Sequence, residues 1–116
     1  VRNFVNFTPY EPERVPVGIY AEADIAVTGN VVENCPGIAY LLGWGPYLRN
    51  VALCGNVAVK SRIGIGVSIA EGAGTADISA NRIDASQHQI AGMRWHDVAE
   101  PDLAAVQENY PQITIR

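Results

Sequence analysis

The chain has no apolar run approaching the roughly 18 residues that a membrane-crossing helix needs. Its richest window, residues 35–48, is broken by Pro36, Pro46 and three glycines, so a transmembrane helix is excluded. It also lacks a basic cluster: eight Lys and Arg are scattered among twelve Asp and Glu, for a net charge of −4. Without concentrated positive charge there is nothing to neutralise a phosphate backbone, and nucleic acid is not an expected partner. The two cysteines, Cys35 and Cys54, are too few for a disulfide framework and form no CxxC pair, so they are expected to be small half-buried or buried thiols. Gly64-Ile65-Gly66 and Gly72-Ala73-Gly74 lack the third glycine and the following helix of a dinucleotide fingerprint, and neither a cofactor nor a metal is expected. No charged stretch followed by an apolar one stands at Val1, so an export signal is expected upstream of these residues.

What is abundant points to strands. Eleven glycines and seven prolines punctuate a chain rich in Val and Ile, which favours short strands broken by turns over long helices. With 116 residues, 48% of them hydrophobic and 17% charged, one folded domain is expected.

A repeat organises these strands. Ile25-Ala26-Val27-Thr28-Gly29-Asn30 returns as Val51-Ala52-Leu53-Cys54-Gly55-Asn56 and as Ala76-Asp77-Ile78-Ser79-Ala80-Asn81, the asparagines falling 26 and then 25 residues apart. Ile113-Thr114-Ile115-Arg116 reads as the start of a further copy whose Asn would lie two positions beyond Arg116. A second element follows each turn: Gly37-Ile38, Gly64-Ile65 and Gln89-Ile90, with Gly18-Ile19 before the first turn.

A fixed period of about 25 residues with alternating strands is the mark of a solenoid. The expected fold is an all-β, right-handed, single-stranded parallel β-helix of about four coils. Residues 1–116 are read as one segment, from the C-terminal side of a longer solenoid. The rival folds fit less well: leucine is too scarce for a leucine-rich repeat, and a β-sandwich does not explain the returning Asn.

Alternation sends Ile25, Val27, Val32, Ile38 and Tyr40 inward and Ala26, Thr28 and Glu33 outward. Three core columns are expected: Val27, Leu53, Ile78 and Ile115; Val32, Ala58 and Ile83; and Ile19, Ile38, Ile65 and Ile90. Asn30, Asn56 and Asn81 form the structural turn. Asn tolerates the left-handed backbone region there and can bond to the Asn of the next coil, while Gly29 and Gly55 relieve crowding.

Four variable loops are expected at residues 7–16, 43–50, 70–75 and 93–112, with a short helix near 101–109 behind Asp102. Three leave after the second element of their coil and should cluster on one side, where solenoids carry binding surface.

The residues Leu42-Gly43-Trp44-Gly45-Pro46-Tyr47-Leu48-Arg49-Asn50-Val51, the Gly55-Asn56-Val57 turn, Ile90-Ala91-Gly92-Met93-Arg94-Trp95 and Asp102-Leu103 through Tyr110-Pro111-Gln112-Ile113 resemble the uncharacterised bacterial repeat proteins exported by the twin-arginine pathway. That family is similar to the wider pectate-lyase-like β-helix superfamily. The resemblance implies a periplasmic or secreted protein and carries no activity with it.

Candidate chemistry follows from the residues alone. Trp44, Tyr47 and Trp95 should emerge on the loop face, where flat rings are platforms for sugars. Lys60 and Arg62 flank Ser61 at a polar corner, near Asn34 below and Gln87 and His88 above, and could grip a uronate or sulfate. Glu33 and Asp84 share a register, but two coil steps of strand spacing put them about 10 Å apart, beyond the separation that paired catalytic carboxylates use. His96-Asp97 pairs a base with a carboxylate, yet no Ser or Cys nucleophile accompanies it by any motif.

The leading expectation is an exported module of undetermined activity that binds polysaccharide on its loop face. The rivals are part of a polysaccharide lyase, glycoside hydrolase or epimerase completed by further coils, and a purely structural element. Self-association through exposed coil ends is the expected partner behaviour, with Asn3 taken as the tail of an earlier Asn turn. The Asn6-Phe7-Thr8 sequon is read as accidental.

Overall fold

The computed structural model describes residues 16–116. The expected turn at Asn3, the Asn6-Phe7-Thr8 sequon and all of the first variable loop except Pro16 lie outside the described residues.

The described chain is a parallel β-solenoid of three full turns with a partial turn at each end. β1 (Val17–Ala21) ends a preceding turn. The first full coil contains β2 (Ala23–Thr28), β3 (Val31–Glu33) and β4 (Ile38–Leu42). The second contains β5 (Arg49–Cys54) and β6 (Val57–Ser68), and the third β7 (Ala76–Ser79) and β8 (Arg82–Arg94). β9 (Asp97–Glu100) turns back antiparallel onto Gly92–Arg94 of β8, and β10 (Ile113–Ile115) begins the next coil by pairing parallel with β7.

Two stacks of parallel strands result: β2, β5, β7 and β10 on one side, and β1, β4, β6, β8 and β9 on the other, with β3 also on β6. The short helix expected near 101–109 is a 3₁₀ segment, Leu103–Asn109, with non-helical backbone at Val106. Leu103 is fully buried and joins the interior with Val106 and Tyr110 packed against the same cluster.

Two core columns stand as expected. Val27 aligns with Leu53, Leu53 with Ile78 and Ile78 with Ile115, while Val32 aligns with Ala58 and Ala58 with Ile83. The third is corrected. Ile65 aligns with Ile90 as expected, but its other neighbour is Tyr40, while Ile38 aligns with Ile63. The expected alignment needed a 27-residue step from Ile38 to Ile65, but the step is 26 residues from Glu33 to Val59 and falls to 25 from Ile38 to Ile63 across the Cys35-Pro36-Gly37 corner, which leaves Ile38 two positions out of the expected column.

Tyr40 fills the interior slot in consequence and is fully buried, with its hydroxyl donating to the Val57 carbonyl at 2.8 Å. Ile38 instead packs with Leu41, Ile63, Ala91 and Met93 in a second apolar cluster. Ile25 keeps its inward register opposite Val51 but is 47% exposed, because β2 lies at the end of its stack and no described strand pairs with its outer edge.

At the Asn corner the ladder is realised, with a different division of labour between the two turn residues. The left-handed conformation belongs to the residue before each Asn: φ is +69° at Gly29 and Gly55 and +56° at Ala80. Glycine is favoured there for its backbone and not for space, since a Cβ on Gly29 or Gly55 would meet nothing within 4 Å. The asparagines supply hydrogen bonds. The Asn56 side-chain oxygen accepts from the Asn30 backbone N–H at 3.0 Å, and that of Asn81 accepts from the Asn56 N–H at 2.9 Å. The Asn56 amide nitrogen donates to the Val27 carbonyl at 2.8 Å and the Cys54 carbonyl at 3.1 Å, and that of Asn81 donates to the Leu53 carbonyl at 2.8 Å.

Candidate functional site

The three described variable loops leave at one corner and are tied to one another. The Gly74 N–H donates to the Leu48 carbonyl at 2.7 Å, and the buried Ser68 hydroxyl donates to the Gly45 carbonyl at 2.6 Å. Gly45 opens a 3₁₀ turn, Gly45–Tyr47, that follows Trp44.

Of the aromatic residues expected on this face, Trp44 and Trp95 come together. Their ring centroids are 5.5 Å apart at 75°, an edge-to-face pair. Trp44 is half-buried and packs against the cluster of Ile38, Leu41, Ile63, Ala91 and Met93, so it covers the outer side of the sheet. The His96 imidazole stacks over it at 6.4 Å and 22°. Trp44 is thus largely engaged by the protein, while Trp95 is 44% exposed and Tyr47 60% exposed. Tyr47 shares the 3₁₀ turn of Gly45.

Trp95 is held in an unusual way. It occupies the two-residue turn between β8 and β9 with φ +56°, a conformation that bulky side chains rarely adopt. Its ring lies against Gly45, where a Cβ would come within 2.3 Å of the indole Cη2, so the approach depends on glycine at that position. The packing that braces Trp95 therefore comes from one distant stretch of chain, Trp44 and Gly45.

His96 and Asp97 do not form a working pair. The His96 Nε2 lies 3.8 Å from Asp97 Oδ1 with both side chains largely in solvent, outside hydrogen-bond range. The stacking of His96 on Trp44 was not legible in the sequence; its only signal was adjacency to Trp95 in a turn.

Lys60 and Arg62 are in a different place. The strand from Ile63 to Ser68 separates them from the aromatic corner by about 20 Å at normal strand rise, so the five residues expected to bind carbohydrate do not form one site. Their local surroundings agree with the sequence reading: the Asn34 N–H donates to the Val59 carbonyl at 2.9 Å, and Arg62 donates through its terminal nitrogen to Gln87 Oε1 at 3.3 Å. Arg62 Nε also donates to the Pro36 carbonyl at 3.3 Å. Lys60 has φ +57°, which kinks β6 at this corner. A groove of about 460 Å³ opens beside it, and Cys35 lies in its wall. The Cys35 thiol is buried, and desolvation pushes its pKa up, away from the thiolate form that reacts.

The carboxylates stay apart. Glu33 pairs with Val59 of the middle coil, and Asp84 lies on the coil beyond. Among the described residues, no three His, Cys, Asp or Glu side chains gather closely enough to hold a metal ion. No helix among the described residues is long and apolar enough to cross a membrane. No family model, curated protein or solved structure matches the chain.

Proposed function

We propose that this solenoid is a carbohydrate-binding module of an exported bacterial protein, with the loop-face aromatic corner as its platform. The observation that carries the reading is Trp95: an indole 44% exposed, in a left-handed turn conformation, braced edge-to-face by Trp44 and seated on Gly45. Backbone strain of this kind costs of order 1–3 kcal/mol and persists where the surroundings over-determine it, often at binding sites. An exposed flat ring held rigid loses little entropy when a sugar ring stacks on it. Tyr47, exposed on the adjacent turn, extends the platform, and Trp44 positions Trp95.

Localisation outside the cytoplasm follows from the resemblance to the twin-arginine-exported repeat proteins and is part of the same proposal. Affinity electrophoresis through gels containing neutral and acidic polysaccharides, together with intrinsic tryptophan fluorescence, tests it. At least one polysaccharide should retard the protein and shift its emission, and Trp95→Ala should abolish both effects with the fold retained by circular dichroism. Retardation by no polysaccharide, or retardation unchanged in Trp95→Ala, overturns the reading.

A further inference from the structure

The corner opposite the aromatic loops holds a further arrangement, among the described residues, that reads as a ligand site. A groove of about 460 Å³ is walled by Lys60, Ser61 and Arg62 of one coil and by Asp84, Ser86 and Gln87 of the next. Neither cation is neutralised among the described residues: Lys60 makes no ion pair, and both hydrogen bonds of Arg62 go to uncharged acceptors, the Pro36 carbonyl and Gln87 Oε1. The Gln87 contact also sets the orientation of that amide, because its oxygen faces Arg62 and its NH₂ is left as a donor. Ser61 is 2% exposed, and its hydroxyl oxygen is buried with no hydrogen-bond partner, which is rare for a buried polar group.

We infer that this groove is a second ligand site, independent of the aromatic platform, for a tetrahedral oxyanion: a sulfate or phosphate group, free or carried as an ester. The shape of the donor set selects the class. A carboxylate is best held by the parallel fork of an arginine, but Arg62 has committed Nε and one terminal nitrogen to Pro36 and Gln87. What remains is single donors on two adjacent coils: the free terminal nitrogen of Arg62, the Lys60 ammonium, the Gln87 amide and the Ser86 hydroxyl. Donors spread over neighbouring coils and converging from different directions suit an acceptor whose oxygens also point in different directions. Asp84 stands in the same wall and opposes an anion, so it sets the affinity low and makes a second prediction: neutralising it strengthens binding.

The test is a titration of the 116-residue chain with inorganic sulfate, inorganic phosphate and acetate at constant ionic strength, followed by amide chemical shifts. Saturable shifts confined to residues 60–62 and 84–87 are expected for sulfate or phosphate, with acetate at least tenfold weaker. The better of the two tetrahedral anions identifies the source. Lys60→Met and Arg62→Gln should each weaken binding at least tenfold, Asp84→Asn should tighten it severalfold, and Trp95→Ala should leave it unchanged, which separates this site from the polysaccharide reading. Thermal unfolding checks each variant, and the solvent-exposed Lys60→Met keeps the test sound if Arg62→Gln loosens the corner. Shifts spread evenly over the surface cations, equal affinity for acetate, or no tightening in Asp84→Asn overturns the proposal.

Discussion

Two corners of the same solenoid use their polar residues in opposite ways. At the Asn corner, Asn30, Asn56 and Asn81 repeat in register and spend their hydrogen-bonding capacity on the coil itself, with Asn56 1% exposed. At the Lys60 corner the three coils carry unrelated residues, a groove opens, Arg62 finds only neutral acceptors, Lys60 makes no ion pair among the described residues and the Ser61 hydroxyl is left without a partner. A corner that repeats does so because each coil solves the same backbone problem. One that does not repeat is free to present chemistry, since its residues are not needed by the coil above or below.

The sharpest way to break this comparison is to remove the centre of the ladder. Asn56→Ala leaves the Asn30 N–H and the Val27 carbonyl without their partners in a buried setting, and should cost about 3 kcal/mol. Asn30→Ala, at the half-buried first rung of the described ladder, should cost about 1 kcal/mol. Equal values in urea unfolding would mean that the ladder is not the source of stability.

The backbone half of the turn is tested next. Gly55→Ala meets no steric obstacle, so its cost isolates the left-handed conformation and should be about 1–2 kcal/mol. The third coil already carries that strain at Ala80, φ +56°. Ala80→Gly should therefore stabilise, by about 0.5–1 kcal/mol once the extra entropy of an unfolded glycine is subtracted. Opposite signs for the two exchanges, measured as shifts in unfolding midpoint, are the expected outcome.

A smaller effect is expected from Asp24 and Arg49, which also join two neighbouring coils, but in solvent. The hydrogen bond from Arg49 holds the Asp24 carboxyl below its ordinary pKa of 3.8, with the guanidinium charge adding to the effect. A depressed carboxyl contributes stability that is complete above the unfolded pKa and fades as pH falls through the lowered folded value. Asp24→Asn should lose less stability than the parent between pH 5 and pH 2, with the two chains converging at the acid end. The smallest effect belongs to the second corner: Lys60→Ala should change stability by less than about 0.5 kcal/mol, in line with a residue that serves a ligand and not the coil.

Much of the fold was legible because it is repetitive. The spacing of Asn30, Asn56 and Asn81, with Val27, Leu53, Ile78 and Ile115 three residues before each Asn position, was enough to derive a parallel solenoid and two of its core columns, since stacked coils must place like residues over like. The aromatic corner was partly legible, because Trp44 and Trp95 leave equivalent strands. Only the tertiary structure decided the rest. A step between coils that falls to 25 residues after Pro36, where the expected column needed 27, puts Tyr40 in the interior slot assigned to Ile38. The antiparallel return of β9 creates the turn that holds Trp95. Contact between separate loops decides that Trp44 is engaged by His96 and the outer cluster while Trp95 stays exposed, and the stacking of unlike corners makes the groove beside Lys60. A periodic signal survives in one dimension because every coil restates it, whereas a single insertion, a reversal of direction or a contact between two loops occurs once and has no second copy to reveal it.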